Sequence, residues 1–336
     1  MNWSEVLGKL TAGVNLSRSE ARGALDDIMS GQATPAQTSA FLVSLRVKGE
    51  TTEEMAGLVE TMRAVGVRVS IGEPVVDTAG TGGDRSGTFN ISTTAALIAA
   101  GAGAKVAKHG NRSASSKCGS ADVLEALGVG IELDPQRTAE MVTEAGFGFF
   151  FAPRYHPAMK HVVPIRQQLG IPTVFNFLGP LTNPAGATRQ LIGVYDSRMA
   201  ERMIGVLSRL GTERALVVHA DDGLDEVSVS GPTRGFQLED GEVTPVVFTP
   251  EDFGLDPADV SELTGGDAET NAAILRSVLA GETGPRRDAA VANAAATLMV
   301  AGVAVTPSEG ARLVARSIDS GAAEAVLNRV IELSRS

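Results

Sequence analysis

Two loops in the first third of the chain constrain its fold more than any other feature: Asp77-Thr-Ala-Gly-Thr-Gly-Gly-Asp84 and Lys108-His-Gly-Asn-Arg112. Each follows a short apolar run, residues 74–76 and 105–107, and each leads into a helix-like segment. The layout is strand, glycine-rich turn, helix, used twice. Gly80, Gly82 and Gly83 let the backbone approach an anion closely and take positive φ where the turn requires it. Their N–H groups, with the N-terminus of the helix that follows, form a phosphate cradle. Lys108, His109 and Arg112 bring side-chain donors to the same place, so the ligand to expect is a phosphorylated sugar. The P-loop pattern fails, because Gly83 is followed by Asp84-Arg85-Ser86 and not by Lys-Ser/Thr. The dinucleotide fingerprint fails as well, because Arg85 stands where its third glycine belongs. A single glycine-rich turn is compatible with a plain tight turn, whereas two coordinated loops argue for a ligand.

The first 70 residues read as consecutive helices. Ser17-x-x-Glu20, Thr34-Pro35-x-Gln37 and Thr51-x-x-Glu54 are capping-box patterns, and Gly31, Gly49 and Gly66 fall where these helices should stop. From residue 71 onward, β-rich runs at 74–78, 105–108, 147–151, 191–195 and 214–219 alternate with helical stretches, the signature of an α/β fold with a largely parallel sheet. Asn90 or Ser92 is expected to cap a helix running to about Ala100, and Ser120 another that ends before Gly128. The stretch from Ile171 to Pro184 holds three prolines and two asparagines, breaks the alternation, and reads as a connection between domains.

With 336 residues the chain is long enough for about two domains and a sizeable core. Its net charge of −11 argues against a general binder of nucleic acid or anionic membrane. The single cysteine, Cys118, excludes a disulfide framework and suits a reducing cytoplasm. The first residues show no basic and apolar signal pattern. The alanine-rich run from Ala289 to Val305 carries Asn293 and predicts a buried helix, not a membrane span.

Other segments add chemistry. Asn90-Ile-Ser-Thr-Thr94 lies at the N-terminus of the helix after the first loop, where amides and hydroxyls add donors for a diphosphate. Ser115-Ser-Lys-Cys-Gly-Ser120 extends the second loop with small, donor-rich residues, as a lid over phosphate would. The segment from Leu216 to Glu226 brings Asp221, Asp222, Asp225 and Glu226 to the end of a predicted strand. Magnesium takes hard oxygen ligands, commonly one or two carboxylates completed by water and substrate phosphates, and Asp225 and Glu226 suit it. An acidic run is also compatible with an ordinary surface loop. Arg166, beyond Tyr155-His156-Pro157, is placed to pair with a substrate carboxylate, or simply to lie on the surface.

Together these strings closely resemble the anthranilate phosphoribosyltransferases, which act in tryptophan biosynthesis. The resemblance rests on residues 77–84, 90–93 and 108–112, on Gly119-Ser-Ala-Asp-Val-Leu-Glu-Ala-Leu-Gly128, on His156-Pro-Ala-Met-Lys160, on Phe175-Asn-Phe-Leu-Gly-Pro-Leu-Thr-Asn-Pro184 and on Gly223-Leu-Asp-Glu226. They occur in the family's order over about residues 70–230, with Cys118 a departure where serine is frequent. The resemblance implies a class IV phosphoribosyltransferase fold, shared with nucleoside phosphorylases. A small α-helical domain (1–70 plus about 165–185) would hinge against a large α/β domain with a largely parallel central sheet (71–164 and 186–336). It further implies a cytoplasmic homodimer that converts anthranilate and 5-phosphoribosyl 1-diphosphate to N-(5-phosphoribosyl)anthranilate and diphosphate with Mg²⁺, up to two per monomer. Carried over by position, Gly80, Gly83, Asp84, Thr88, Asn90, Ile91, Ser92 and Thr93 hold the phosphoribosyl diphosphate. Lys108, His109, Gly110, Asn111, Arg112, Ser113, Ala114, Ser115, Ser116 and Ser120 cover it. Ser92, Asp225 and Glu226 ligate magnesium. Asn111 and Arg166 contact anthranilate, with Gly80, His109, Tyr155 and Gly179 as neighbours. No acid–base triad is expected, and Lys108, Asn111 and Arg166 would act by charge and position. A pyrimidine nucleoside phosphorylase has a different loop after its second strand. A nucleic-acid-binding relative should be basic and lack Arg166 or the acidic pair.

Overall fold

The computed structural model describes residues 1–113 and 117–335. Helices α1 (Trp3–Thr11), α2 (Arg18–Met29), α3 (Pro35–Lys48) and α4 (Thr52–Val65) come first. All three expected capping boxes form: Ser17, Thr34 and Thr51 each accept an N–H from the residue three positions on, whose side chain returns to the cap. Strand β1 (Val76–Gly80), α5 (Ile91–Gly101), β2 (Val106–Gly110), α6 (Ser120–Ala126), α7 (Pro135–Ala145) and β3 (Phe147–Phe151) follow. The short helices α8 (Ala152–Tyr155), α9 (Val163–Leu169) and α10 (Phe175–Leu178) lie between β3 and β4, the last within the proline-rich connection. Then come β4 (Arg189–Gly193), α11 (Ser197–Arg209), β5 (Arg214–Ala220), β6 (Thr233–Glu239) and β7 (Glu242–Phe248). The chain closes with α12 (Ala268–Leu279), α13 (Pro285–Ala301), α14 (Pro307–Asp319) and α15 (Ala322–Leu333).

The sheet runs β3-β2-β1-β4-β5-β6-β7, parallel through β5 and antiparallel beyond it. Alternation along the strands divides the core: Leu191, Leu216 and Val218 face α5 and α12–α15, while Ile192, Ala215 and Val217 face α1–α4 and α11. Helix α13 is buried along most of its length, as its alanine-rich sequence requires. Among the described residues no helix is long and apolar enough to cross a membrane.

Two local expectations are corrected, and one element is additional to them. Ser120 is the first residue of α6 and Gly119 its cap, because the Asp122 carboxylate accepts the Gly119 and Ser113 N–H groups and leaves no capping role for a hydroxyl. Asn90 occupies the cap position of α5 without a capping bond, since buried partners elsewhere hold its amide. The β6–β7 hairpin, turning at Asp240 and Gly241 with φ of 51° and 81°, was not expected.

Candidate active site

Strands β1 and β4 lie side by side, yet the chain winds away from them in opposite directions, β1 to β2 to β3 and β4 to β5. Such a switch point leaves a crevice beyond the carboxyl ends of the strands. Gly80, Gly110 and Gly193 end β1, β2 and β4 there. Two of these glycines are demanded by the segment after β5, which folds back over the strand ends. A Cβ on Gly80 would lie 2.5 Å from Asp225 Oδ2, and one on Gly193 would overlap the Asp225 carbonyl. The result is a cavity of about 360 Å³ walled by both glycine loops, the N-terminus of α5, Asn176, Asp225 and Glu226.

The side formed by the first glycine loop is built mainly from backbone. Gly82 and Gly83 have φ of 64° and 90°, and Arg85 reaches 59° without being glycine. The Gly82 N–H donates to Asp225 Oδ2 at 2.6 Å, joining the first loop to the acidic pair. Lys108 is buried and does not reach into the cavity as a free cation: its ammonium donates to the Thr78 carbonyl at 2.5 Å and to Ser92 Oγ at 3.3 Å. Burial lowers its pKa, opposed by the charges of Asp77 and Glu226. Ile91 and Thr93 are buried, so the first offers only backbone to the cavity. Thr88 bridges to Thr264, and Ser86 ties to Asp84 at 2.6 Å.

Of the four carboxylates after β5, two face the cavity. Asp221 pairs with Arg234, and Asp222 accepts the hydroxyls of Ser228 and Ser230. Asp225 is pushed up to about 7 by burial and then by the charge of Asp84. Glu226 is raised well above the usual carboxylate range by loss of hydration, then by Asp225, against the pull of Lys108. Two crowded, dehydrated carboxylates beside Ser92 are a set that a divalent cation would relieve. Among the described residues no three His, Cys, Asp or Glu side chains form a complete metal cluster. The fit is therefore to a magnesium ion completed by water and substrate oxygens.

The opposite wall is assembled from distant segments. His109 Nδ1 lies 3.2 Å from the Gly179 carbonyl, its ring 5.2 Å from that of His156. Burial, and then His156, push its pKa down to about 3, so it is neutral. Arg166 Nη2 lies 3.4 Å from Asn176 Oδ1, and its guanidinium is 5.5 Å from the Phe175 ring. It reaches the cavity wall through Asn176 without lining it. Burial lowers its pKa. Asn111 is exposed on the wall. Arg112 is held by Asp122 and Glu125 of α6 and lies 5.6 Å over the Phe151 ring. Tyr155 is not brought to the cavity: it is buried with Val75, Ala107, Val142 and Phe150. Ala114, Ser115 and Ser116 lie outside the described residues.

Comparison with known proteins decides the family. Residues 72–324 match the model of the glycosyl transferase family α/β domain and residues 4–66 that of its helical bundle domain. An anthranilate phosphoribosyltransferase of Rhodopseudomonas palustris is 51% identical over 100% of this chain and 99% of its own length. That of Moorella thermoacetica is 52% identical over 97% and 96%. The chain belongs to the anthranilate phosphoribosyltransferase family. Within the family, the crystal structure from Thermus thermophilus is 43% identical and superposes with a TM-score of 0.93 over 98% of this chain and 99% of its own. The Saccharomyces cerevisiae enzyme in complex with PRPP and Mg is 29% identical, with a TM-score of 0.89 over 99% and 98%.

Sequence reading missed the side chains that tie this family site together from behind. Asp77 sits inside the first motif but is fully buried. It accepts the His109 N–H at 3.1 Å and Asn183 Nδ2 at 2.8 Å, while Asn183 also donates to the Ala107 carbonyl at 2.7 Å. Burial pushes Asp77 up to about 6, resisted by these donors and by Lys108. The signal was a strand carrying an aspartate where an apolar residue belongs, a pattern that asks for a buried partner.

Proposed function

We propose that this chain transfers the phosphoribosyl group of 5-phosphoribosyl 1-diphosphate to the amine of anthranilate, giving N-(5-phosphoribosyl)anthranilate and diphosphate. The observation that carries the reading is the convergence of two glycine-rich loops at one switch point, with Asp225 and Glu226 opposite their donors. Gly80, Gly83, Asp84, Thr88 and residues 90–93 hold the phosphoribosyl diphosphate, and residues 108–116 with Ser120 cover it. Ser92, Asp225 and Glu226 would hold Mg²⁺, up to two per monomer, which when bound neutralises charge developing on the diphosphate.

The chain's own residues do the rest. Loop N–H groups and the α5 N-terminus stabilise the departing anion through fixed dipoles that need no reorganisation. Lys108 supports Ser92 and the Thr78 carbonyl from behind the metal site. Anthranilate sits toward Asn111, His109 and Gly179, with Arg166 turning from Asn176 to its carboxylate. The attacking aromatic amine is neutral at pH 7, so no strong general base is required, and neutral His109 suits that role as a wall. The ribose carbon carries oxocarbenium character as the bond to diphosphate breaks, and closure over it keeps water out. Closure brings a small helical domain (1–70 plus about 165–185) against the α/β domain (71–164 and 186–336), with the enzyme acting as a cytoplasmic homodimer. The test is the fluorescence of anthranilate with the protein, 5-phosphoribosyl 1-diphosphate and Mg²⁺. The reading expects a decay that requires all three, and a constant signal would refute it.

A further inference from the structure

Asn90 belongs to the phosphate-side wall, yet nothing on its own helix fixes which way its amide faces. The fixing comes from a segment 180 residues away. Residues 263–266 pair with 87–89: the Phe89 N–H donates to the Leu263 carbonyl at 2.9 Å, the Gly265 N–H to the Gly87 carbonyl at 2.9 Å, and Thr88 bridges Thr264. Gly265 is packed so closely that a Cβ there would stand 2.7 Å from the backbone of Phe89. Asn271, on the first turns of α12 and 2% exposed, then reaches in two directions. Its Oδ1 accepts the Gly266 N–H at 2.8 Å, and its Nδ2 donates to Asn90 Oδ1 at 2.9 Å. Asn90 Nδ2 in turn donates to the Cys118 carbonyl at 3.3 Å, and Cys118 Sγ to Asn90 Oδ1 at 3.3 Å.

The polarity of this chain of amides is determined at its origin. A backbone N–H only donates, so the Gly266 N–H fixes Asn271 Oδ1. That turns Asn271 Nδ2 to Asn90, which fixes Asn90 Oδ1 and aims Asn90 Nδ2 at the second loop through Cys118. Asn90 lines the cavity and Asn271 does not. We infer that Asn271 is a positioning residue for the phosphoribosyl diphosphate site: acting through Asn90, it sets the amide that joins the α5 N-terminus to the second loop. The inference rests on the proposed function, in which Asn90 contacts that substrate.

The experiment is a double-mutant cycle of Asn90→Ala and Asn271→Ala, with Asn271→Asp beside it, reading KM for each substrate and the melting temperature. Asn271→Ala should raise KM for 5-phosphoribosyl 1-diphosphate about five- to tenfold, the scale of one neutral hydrogen bond, with that for anthranilate nearly unchanged. The double variant should be no worse than Asn90→Ala alone, because the two residues act as one unit. Asn271→Asp keeps the size and the Gly266 bond but offers Asn90 only acceptors. It forces the Asn90 amide to flip and sets its oxygen against the Cys118 carbonyl, so it should reproduce the KM defect for 5-phosphoribosyl 1-diphosphate alone, with a melting temperature lowered by the buried carboxylate. Should Asn271→Ala fail to fold, the cycle is run with the aspartate variant. Additive effects, or a wild-type KM for Asn271→Asp, overturn the inference. If Asn90→Ala itself leaves this KM unchanged, it is the underlying site reading that fails, and the inference falls with it.

Discussion

The two walls of the cavity are made in different ways. The wall proposed for the phosphates is almost continuous in sequence: backbone N–H groups and small side chains of residues 80–93, set at the end of β1 and the start of α5, with β2 beside them. The acceptor wall is composite. His109 comes from β2, Arg166 from α9, Asn176 from α10 and Gly179 from the turn after it, joined by the His109–Gly179 and Arg166–Asn176 contacts. A diphosphate is recognised by charge and by many equivalent donors, which local backbone supplies. An aromatic amino acid needs one cation and one apolar face at fixed separation, which takes tertiary structure. The acidic pair after β5 belongs with the phosphate wall, because Gly82 hydrogen-bonds it directly.

The strongest way to break this comparison is to remove charge from the phosphate wall. Glu226→Gln or Asp225→Asn should lower turnover by more than about a hundredfold, beyond the range seen when only outer supports of a metal site are lost. Magnesium-dependent binding of 5-phosphoribosyl 1-diphosphate should weaken while the circular dichroism spectrum stays unchanged. Near wild-type rates at limiting Mg²⁺ would remove both residues from the metal site.

A smaller effect sharpens the same wall. Asp225 is raised to about 7 in the free protein. Its folded pKa lies above the unfolded value near 3.9, so the folded state holds the extra proton between the two. That contribution to stability is present at low pH and is lost as pH rises through about 7. Magnesium requires both carboxylates ionised, and Glu226 is raised as well, so its apparent affinity should fall steadily as pH drops, by about tenfold or more per unit once Asp225 is protonated. Thermal shifts produced by Mg²⁺ should accordingly be larger at pH 8 than at pH 6. A pH-independent shift would contradict the assignment.

The smallest expected effect concerns the tie between the walls. Asn183→Ala removes two buried bonds and leaves Asp77 without its amide partner. It should cost about 1–3 kcal/mol, seen as a lower denaturant midpoint, and raise both KM values together. An unequal change, confined to one substrate, would show that Asn183 serves a single wall.

The same contrast explains what could be read from sequence. The capping boxes, the parallel alternation and the glycine loops are local patterns, and each formed where residues 17–20, 34–37, 51–54 and 77–84 required. The Asp240-Gly241 turn is equally local, and Asp-Gly between β-rich runs is the strongest short hairpin signal. Lys108 was read as a free phosphate donor, yet it is buried against Thr78 and Ser92, because its partners lie on β1 and α5, 30 and 16 residues distant. Asn271 lay beyond sequence reading for the same reason, although Thr264-Gly-Gly-Asp267 repeats Thr81-Gly-Gly-Asp84 and marked the segment. Tyr155 shows the converse: position in a motif does not say which way a side chain turns, and its ring turned into the core.

The division of labour between the walls is tested most directly at Arg166. Binding of 5-phosphoribosyl 1-diphosphate with Mg²⁺ should be measured by calorimetry on the wild type and Arg166→Ala, alongside KM for anthranilate. Loss of a charge-assisted pair costs roughly 1.5–3 kcal/mol, so the anthranilate KM should rise by about one to two decades. Arg166→Lys should restore little of it, because a point charge lacks the planar fork. The affinity for 5-phosphoribosyl 1-diphosphate should stay within about a factor of two of the wild type, less than half a kcal/mol. If that affinity falls in step with anthranilate, or if the melting temperature drops and the anthranilate KM does not move, the two walls are not separable and Arg166 does not hold the acceptor.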